Sequence, residues 1–405
     1  MTKVADNLCQ LPWDVLDIIS RKLDFDDLFQ FSGVCKNWWE FHKTYWRDFL
    51  VSQEPLIVRN SYYIRKCYTF ISIPHQKVYH SKKMNDLKNF LYFGSSSGYL
   101  IMTENNHSFV LMNPFIRKVI LIDTSSTFKV ELSDFAYYVL LAFGKGSDEF
   151  VFVALCKSSH SLHIYQSQNF GWVTYSPKRN SWKGVDFTIL HNAIYVVTDQ
   201  AKIGVFSLNS EYIEFLKLKS TLKVTSSSYV RLIDCVGQLL VLNIISNEIL
   251  NVYKIDFSTM NCVKLETLGD IALFYAPKEK YYALSSSEKW GYRRNSVYVI
   301  DLPSKKCKVY IGDDNELPKF IIRPIYNNTQ TYYPPYLLDW CFRHQLEVDL
   351  RNTMSGESPQ MVRASSKTKA QEEGINSVEH NFEIKEGKGQ RNKRINTKLN
   401  GYIIN

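Results

Sequence analysis

No two of the eight cysteines in this 405-residue chain are spaced C-x-x-C, and none lies beside a histidine pair. Scattered thiols fit a reducing compartment better than a disulfide framework or a zinc site. The longest apolar run, Phe135 to Phe143, is nine residues, too short to cross a bilayer. The opening residues MTKVADNLCQ carry no apolar signal core, so a soluble protein of the cytoplasm, the nucleus or both is expected. A Walker-type Gly-Lys-Ser loop and H-E-x-x-H are absent as well. Phe143-Gly-Lys-Gly146 sets glycines beside a lysine without a following helix, and reads as a turn between strands. The nine histidines are scattered; neither His75 with His80 nor His160 with His163 has a third ligand nearby, and His42 is expected at the surface. No catalytic residue, cofactor or metal site is therefore expected.

What is present is apolar and aromatic. Hydrophobic residues make up 45% and aromatics 14%, with 26 Tyr and 24 Phe, a balance that favours β structure over helical bundles. Residues 8 to 50 break that pattern. They concentrate Leu11, Val15, Leu16, Ile19, Leu23, Leu28, Phe31, Val34, Trp38, Trp39, Phe41 and Trp46, more apolar surface than short helices hide among themselves. At roughly 25 cal/mol per Å² such surface finds a cover, and a partner protein supplies one. Pro12 suits a first helical turn, and Val15, Leu16, Ile19 and Leu23 recur at helical spacing. Asp24 and Asp26 suit the cap of a second helix with Leu28 and Phe31; Gly33 ends it before a third from Val34 to His42.

This segment resembles an F-box, whose pattern opens on Leu-Pro and closes on Val-Cys-Lys-x-Trp. The matching positions are Leu11, Pro12, Val15, Leu16, Ile19, Leu28, Val34, Cys35 and Trp38, with Leu23-Asp24 where a second Leu-Pro is common. The resemblance implies a three-helix domain, bounded here at 6–52, in which those nine residues bind a Skp-type adaptor and, through it, a cullin. A helical cap packed only on its own downstream domain is the plainer alternative.

Residues 56 to 345 carry a repeat. Its unit is an alternating strand that ends on a turn residue, followed by a return strand. Four copies are clear: Phe109–Asn113 with Val119, Val205–Asn209 with Ile213, Val252–Asp256 with Val263, and Val297–Asp301 with Val309. Weaker copies stand at Phe70–Pro74 and Leu162–Tyr165. The turn positions recur every 39 to 52 residues, which leaves room for two more strands per copy. Four-stranded propeller blades have that spacing, because a lone sheet cannot bury both faces and must stack on neighbours. Six copies point to six blades; a β-sandwich or a pair of small barrels is the alternative. Landmarks such as Met112-Asn-Pro-Phe115, Asn180-Ser-Trp182, Leu268–Phe274 and Asp339-Trp-Cys-Phe342 resemble those of plant F-box proteins whose C-terminal propeller is kelch-like or KIB-type.

From Arg351 to Asn405 only two aromatics remain, Phe382 and Tyr402, and ten Lys/Arg face six Glu. Such a segment buries too little to offset its ordering entropy, so 351–405 is expected to be a disordered basic tail. The basic–aromatic runs Tyr62–Tyr68 and Trp290–Arg294 suit base stacking, but the modest charge of residues 1–350 argues against nucleic acid as a partner. The fold class expected is mainly β, and the function implied is recruitment of a target protein to a ubiquitin ligase. A propeller scaffold with a degenerate F-box and a ligand-binding or enzymatic propeller are the rivals.

Overall fold

A computed structural model describes residues 11–20, 23, 31 and 33–42 and, with interruptions, residues 54–348. Helix α1 spans Trp13–Ser20, and a second helical run covers 36–42. The expected three-helix arrangement thus shows two helices among the described residues; its middle helix, apart from Phe31, lies outside them, as does the tail from 351.

Strands then follow in six groups. Blade 1 holds β1 (Leu56–Ser61), β2 (Tyr68–Ile71) and β3 (Val78–His80). Blade 2 holds β4 (Leu91–Ser96), β5 (Tyr99–Thr103), β6 (Ser108–Asn113) and β7 (Lys118–Asp123). Blade 3 has β8 (Tyr137–Gly144), β9 (Phe150–Cys156), β10 (Leu162–Gln166) and β11 (Gly171–Tyr175). Blade 4 has β12 (Gly184–Leu190), β13 (Ala193–Thr198), β14 (Ile203–Ser207) and β15 (Glu214–Phe215). Blade 5 has β16 (Val230–Cys235), β17 (Gln238–Ile245), β18 (Glu248–Asp256) and β19 (Asn261–Leu265). Blade 6 has β20 (Ala272–Ala276), β21 (Lys280–Leu284), β22 (Ser296–Asp301) and β23 (Lys306–Ile311). Two strands follow it, β24 (Tyr336–Cys341) and β25 (Leu346–Val348).

The ring is closed by the chain's two ends. β24 pairs antiparallel with β1 from Leu56↔Cys341 to Ser61↔Tyr336, so the last blade-forming strand becomes the innermost strand of the first blade. That closure removes the open edges a linear array would expose. The sequence repeat corresponds to the third and fourth strands of each blade, β2–β3 through β22–β23. Burial explains the pattern. Second strands such as β5, β9 and β13 are buried at every position, whereas the outer strand β7 alternates between exposed and covered residues. Six apolar clusters fill the six blade interfaces, one between each neighbouring pair. A sandwich or paired barrels would not produce that ring.

Two features depart from a regular meander. In blade 6 the chain lays down β20 first, moves inward to β21, and returns through a 3-10 turn at Ser287–Trp290 to place β22 parallel to β20. In blade 3, β25 adds a fifth strand, parallel to β8, beyond the expected domain end at 345. The first hairpins of blades 2, 4 and 5 turn through two residues of positive φ, Ser97-Gly98, His191-Asn192 and Val236-Gly237, the geometry that matches strand twist.

Candidate functional site

The F-box segment is built around a small core of Leu16, Phe31 and Phe41, with Leu11, Ile19, Leu23 and Trp38 packed against it. The Pro12 carbonyl accepts from the N–H of Val15 and Leu16, each at 3.1 Å, and starts α1 where proline's missing N–H costs nothing. Phe31 packs on Trp38 at a tilt with centroids 4.4 Å apart, and Trp13 meets Phe41 edge-on at 5.8 Å. Asn37, the variable residue of Val34-Cys35-Lys36-Asn37-Trp38, donates to the Leu11 carbonyl at 3.1 Å and so ties the two motifs together. His42 is not a surface residue: it is half-buried, and desolvation lowers its pKa to about 4.

Of the residues expected to meet the adaptor, Leu16 lies fully inside this core, Leu11, Ile19, Cys35 and Trp38 are half-buried, and Leu28 lies outside the described residues. Pro12, Val15 and Val34 are exposed. Sequence reasoning missed Trp13 and Ile18 and counted Trp39 only in the apolar total of the segment; all three join them as large exposed apolar side chains, Ile18 at 58%. Val15 and Ile18 stand three residues apart on the helix face opposite Leu16, a spacing that was available in the sequence. Exposed apolar side chains gathered on one small unit are the kind of surface that interaction sites use.

The second place where unusual chemistry gathers is the propeller's central channel, lined by β24, β4, β8, β12, β16 and β21. Lys280 of β21 reaches across it: Nζ donates to the Ser95 carbonyl of blade 2 at 2.8 Å and the Val139 carbonyl of blade 3 at 3.2 Å. Desolvation lowers its pKa to about 8, against the opposing pull of Asp339 and Asp186. Asp186 is buried and accepts from the Leu232 N–H at 2.9 Å; desolvation raises its pKa to about 6, with Arg231 pulling it down. Asp339 accepts from the Tyr92 hydroxyl at 2.8 Å and from its neighbour's Trp340 N–H. The Lys157 ammonium and Arg231 guanidinium both approach the Tyr138 ring, at 3.9 and 5.7 Å. Convergent groups with shifted pKa values are what a channel enzyme would show. Here Lys280 bonds backbone groups of β4 and β8 across the channel and Asp186 bonds the neighbouring β16, so both tie blades together.

Other sequence candidates resolve plainly. Gly144 ends β8 and Lys145 opens the β8–β9 turn, His163 is buried against Phe128, and Tyr68 and Tyr292 are buried core residues rather than free stacking platforms. Tyr292 also donates to the Pro55 carbonyl at 2.7 Å. Among the described residues, no group of three His, Cys, Asp or Glu is placed to hold a metal, and no helix is long and apolar enough to cross a membrane.

A small helical unit with exposed apolar side chains, followed by a six-bladed ring, defines an F-box protein with a β-propeller. The F-box domain model matches residues 8–38, and the KIB1-4 β-propeller model matches residues 70–311, more than half of the chain. The protein belongs to the KIB1-4 β-propeller family. Among solved structures it is similar to virginiamycin B lyase from Staphylococcus aureus, at 12% identity and a TM-score of 0.35, over 64% of this chain and 78% of that one. No curated protein matches it.

Proposed function

We propose that this protein is the substrate-recruiting subunit of a Skp–cullin–F-box ubiquitin ligase. The observation that carries the reading is one chain holding both an F-box whose Val15, Ile18 and Val34 face solvent and a closed propeller behind it. The adaptor covers the apolar face, with Leu11, Pro12, Val15, Ile19, Leu28, Val34, Cys35 and Trp38 at or beneath the contact and Leu16 supporting them from within. A propeller loop face holds the target protein. Catalysis is then a matter of position: a target lysine held near a charged ubiquitin carrier reacts at high effective concentration, and no bond chemistry is asked of this chain. The bonds that Lys280 and Asp186 make to strand backbones support a structural role for the channel charges. This role belongs to the cytoplasm or nucleus. Co-elution of the full chain with a purified Skp-type adaptor tests it. Leu11→Ala with Pro12→Ala is expected to abolish co-elution while leaving the propeller folded; undiminished co-elution refutes the docking assignment.

A further inference from the structure

The inner edge of β8 faces the channel, and its backbone groups are satisfied one by one. Lys280 serves the Val139 carbonyl. The Ser96 hydroxyl accepts from the Leu141 N–H at 3.0 Å, and the Ser96 and Ser97 hydroxyls donate to the Leu141 carbonyl at 3.1 and 2.6 Å. Beyond that point, at Ala142–Gly144, the edge is covered by a strand instead: β25, in parallel register Leu346↔Ala142, Glu347↔Phe143, Val348↔Gly144. Unpaired edge groups invite exactly such a template, whether from the same chain or another.

Ring closure does not need β25. The six residue pairs between β24 and β1 already close the propeller, and the other five blades have four strands each. β25 is short and parallel, and its anchors among the described residues are local. The Gly98 N–H donates to the Phe342 carbonyl at 2.8 Å, the Leu346 N–H donates to the Ser97 hydroxyl at 2.9 Å, and the partly buried Leu346 packs on the cluster containing Ala142, Val151 and Val153. Parallel pairing is the weaker kind per residue, and three pairs make an occupant that exchanges readily.

We infer that the inner edge of β8 at the channel mouth is a strand-addition site for an extended peptide of the target, filled in the resting chain by its own Leu346–Val348. The inference rests on the reading of the propeller as the target-binding part. Main-chain bonds along Ala142–Gly144 give the affinity, and the place of Leu346 demands an apolar side chain at the first position of the bound segment. The chain's own segment thereby acts as a competitor that the target must displace, so the apparent affinity for any peptide is lowered by the fraction of sites left open.

The test uses the full chain carrying Leu346→Pro, which removes the N–H that bonds Ser97, and a fluorescent peptide of residues 343–352 as the probe. The variant is expected to bind the probe about tenfold more tightly than the wild type. Hydrogen exchange at residues 141–145 should speed up in the variant and slow again when the probe is added. A probe with Asp in place of the leucine that corresponds to Leu346 should not bind. Leu346→Asp, which keeps the backbone donor, guards against misfolding by proline and should give a smaller change in the same direction. A folded variant of either kind that binds the probe no better than wild type, or unchanged exchange at 141–145, overturns the inference. Adaptor co-elution is measured alongside: if it persists while the probe fails, only this inference falls, and if it fails on its own the ligase reading falls.

Discussion

His163 gives the propeller a specific sensitivity to acid. It lies on β10 at 5% exposure, stacked on Phe128 with centroids 3.7 Å apart and planes at 16°, and its Nδ1 sits 3.0 Å from the Thr174 hydroxyl. Burial lowers its pKa from 6.5 to about 4. Between those values the unfolded chain takes up a proton that the folded chain refuses. The stability contributed by the neutral ring is therefore complete above pH 6.5 and is lost as the pH falls toward 4. A gap of that size is worth about 3 kcal/mol. His163→Gln keeps a hydrogen-bonding group near Thr174 and cannot titrate. Urea unfolding of both proteins, from about pH 7.5 down to about pH 4.5, isolates the term, because His42 and every carboxylate contribute equally to the two curves. The wild type should lose about 2–3 kcal/mol more than the variant over that range. A wild-type-minus-variant difference that does not change with pH refutes the assignment.

Two further predictions concern the ring. Trp340 is fully buried between blades 1 and 6, and its Nε1 donates to the Tyr275 carbonyl at 3.0 Å. Trp340→Ala should cost about 3–5 kcal/mol in chemical denaturation, and Trp340→Phe about 1–3 kcal/mol, since mainly the hydrogen bond is lost. At Gly312 an added Cβ would strike the Glu316 carbonyl oxygen and lie 2.9 Å from the Pro318 nitrogen, both backbone atoms that cannot rotate away. Gly312→Ala should therefore lower the thermal midpoint, at a cost of about 1–3 kcal/mol.

The outer half of each blade was legible because its physics is local. Strands such as Val252–Asp256 set polar Lys254 and Asp256 at alternate positions, both half-buried beside buried Tyr253 and Ile255, and end on Asp before the turn. The innermost strands left no such trace. β8 is covered on nearly every residue and reads as a bare apolar run, while β12 and β24 carry Asp186 and Asp339, whose partners lie in other blades. The exchange of β20 and β21 was illegible for the same reason, since position within a blade is decided by contacts remote in sequence. In the F-box, the motif positions identified the segment correctly, yet helical phase turned Val15 outward and Leu16 inward although both belong to one apolar run. Asn37 escaped notice because its role depends on the Leu11 carbonyl, 26 residues earlier in the chain.

The most direct measurement is the dissociation constant of the full chain with a purified Skp-type adaptor, compared between wild type and Ile18→Asp with Val34→Asp. Both residues are exposed, so the variant should unfold at the same denaturant concentration as wild type. The account predicts a loss of at least about a hundredfold in affinity, as two apolar contacts become buried charges. Equal affinity for the two proteins would contradict it.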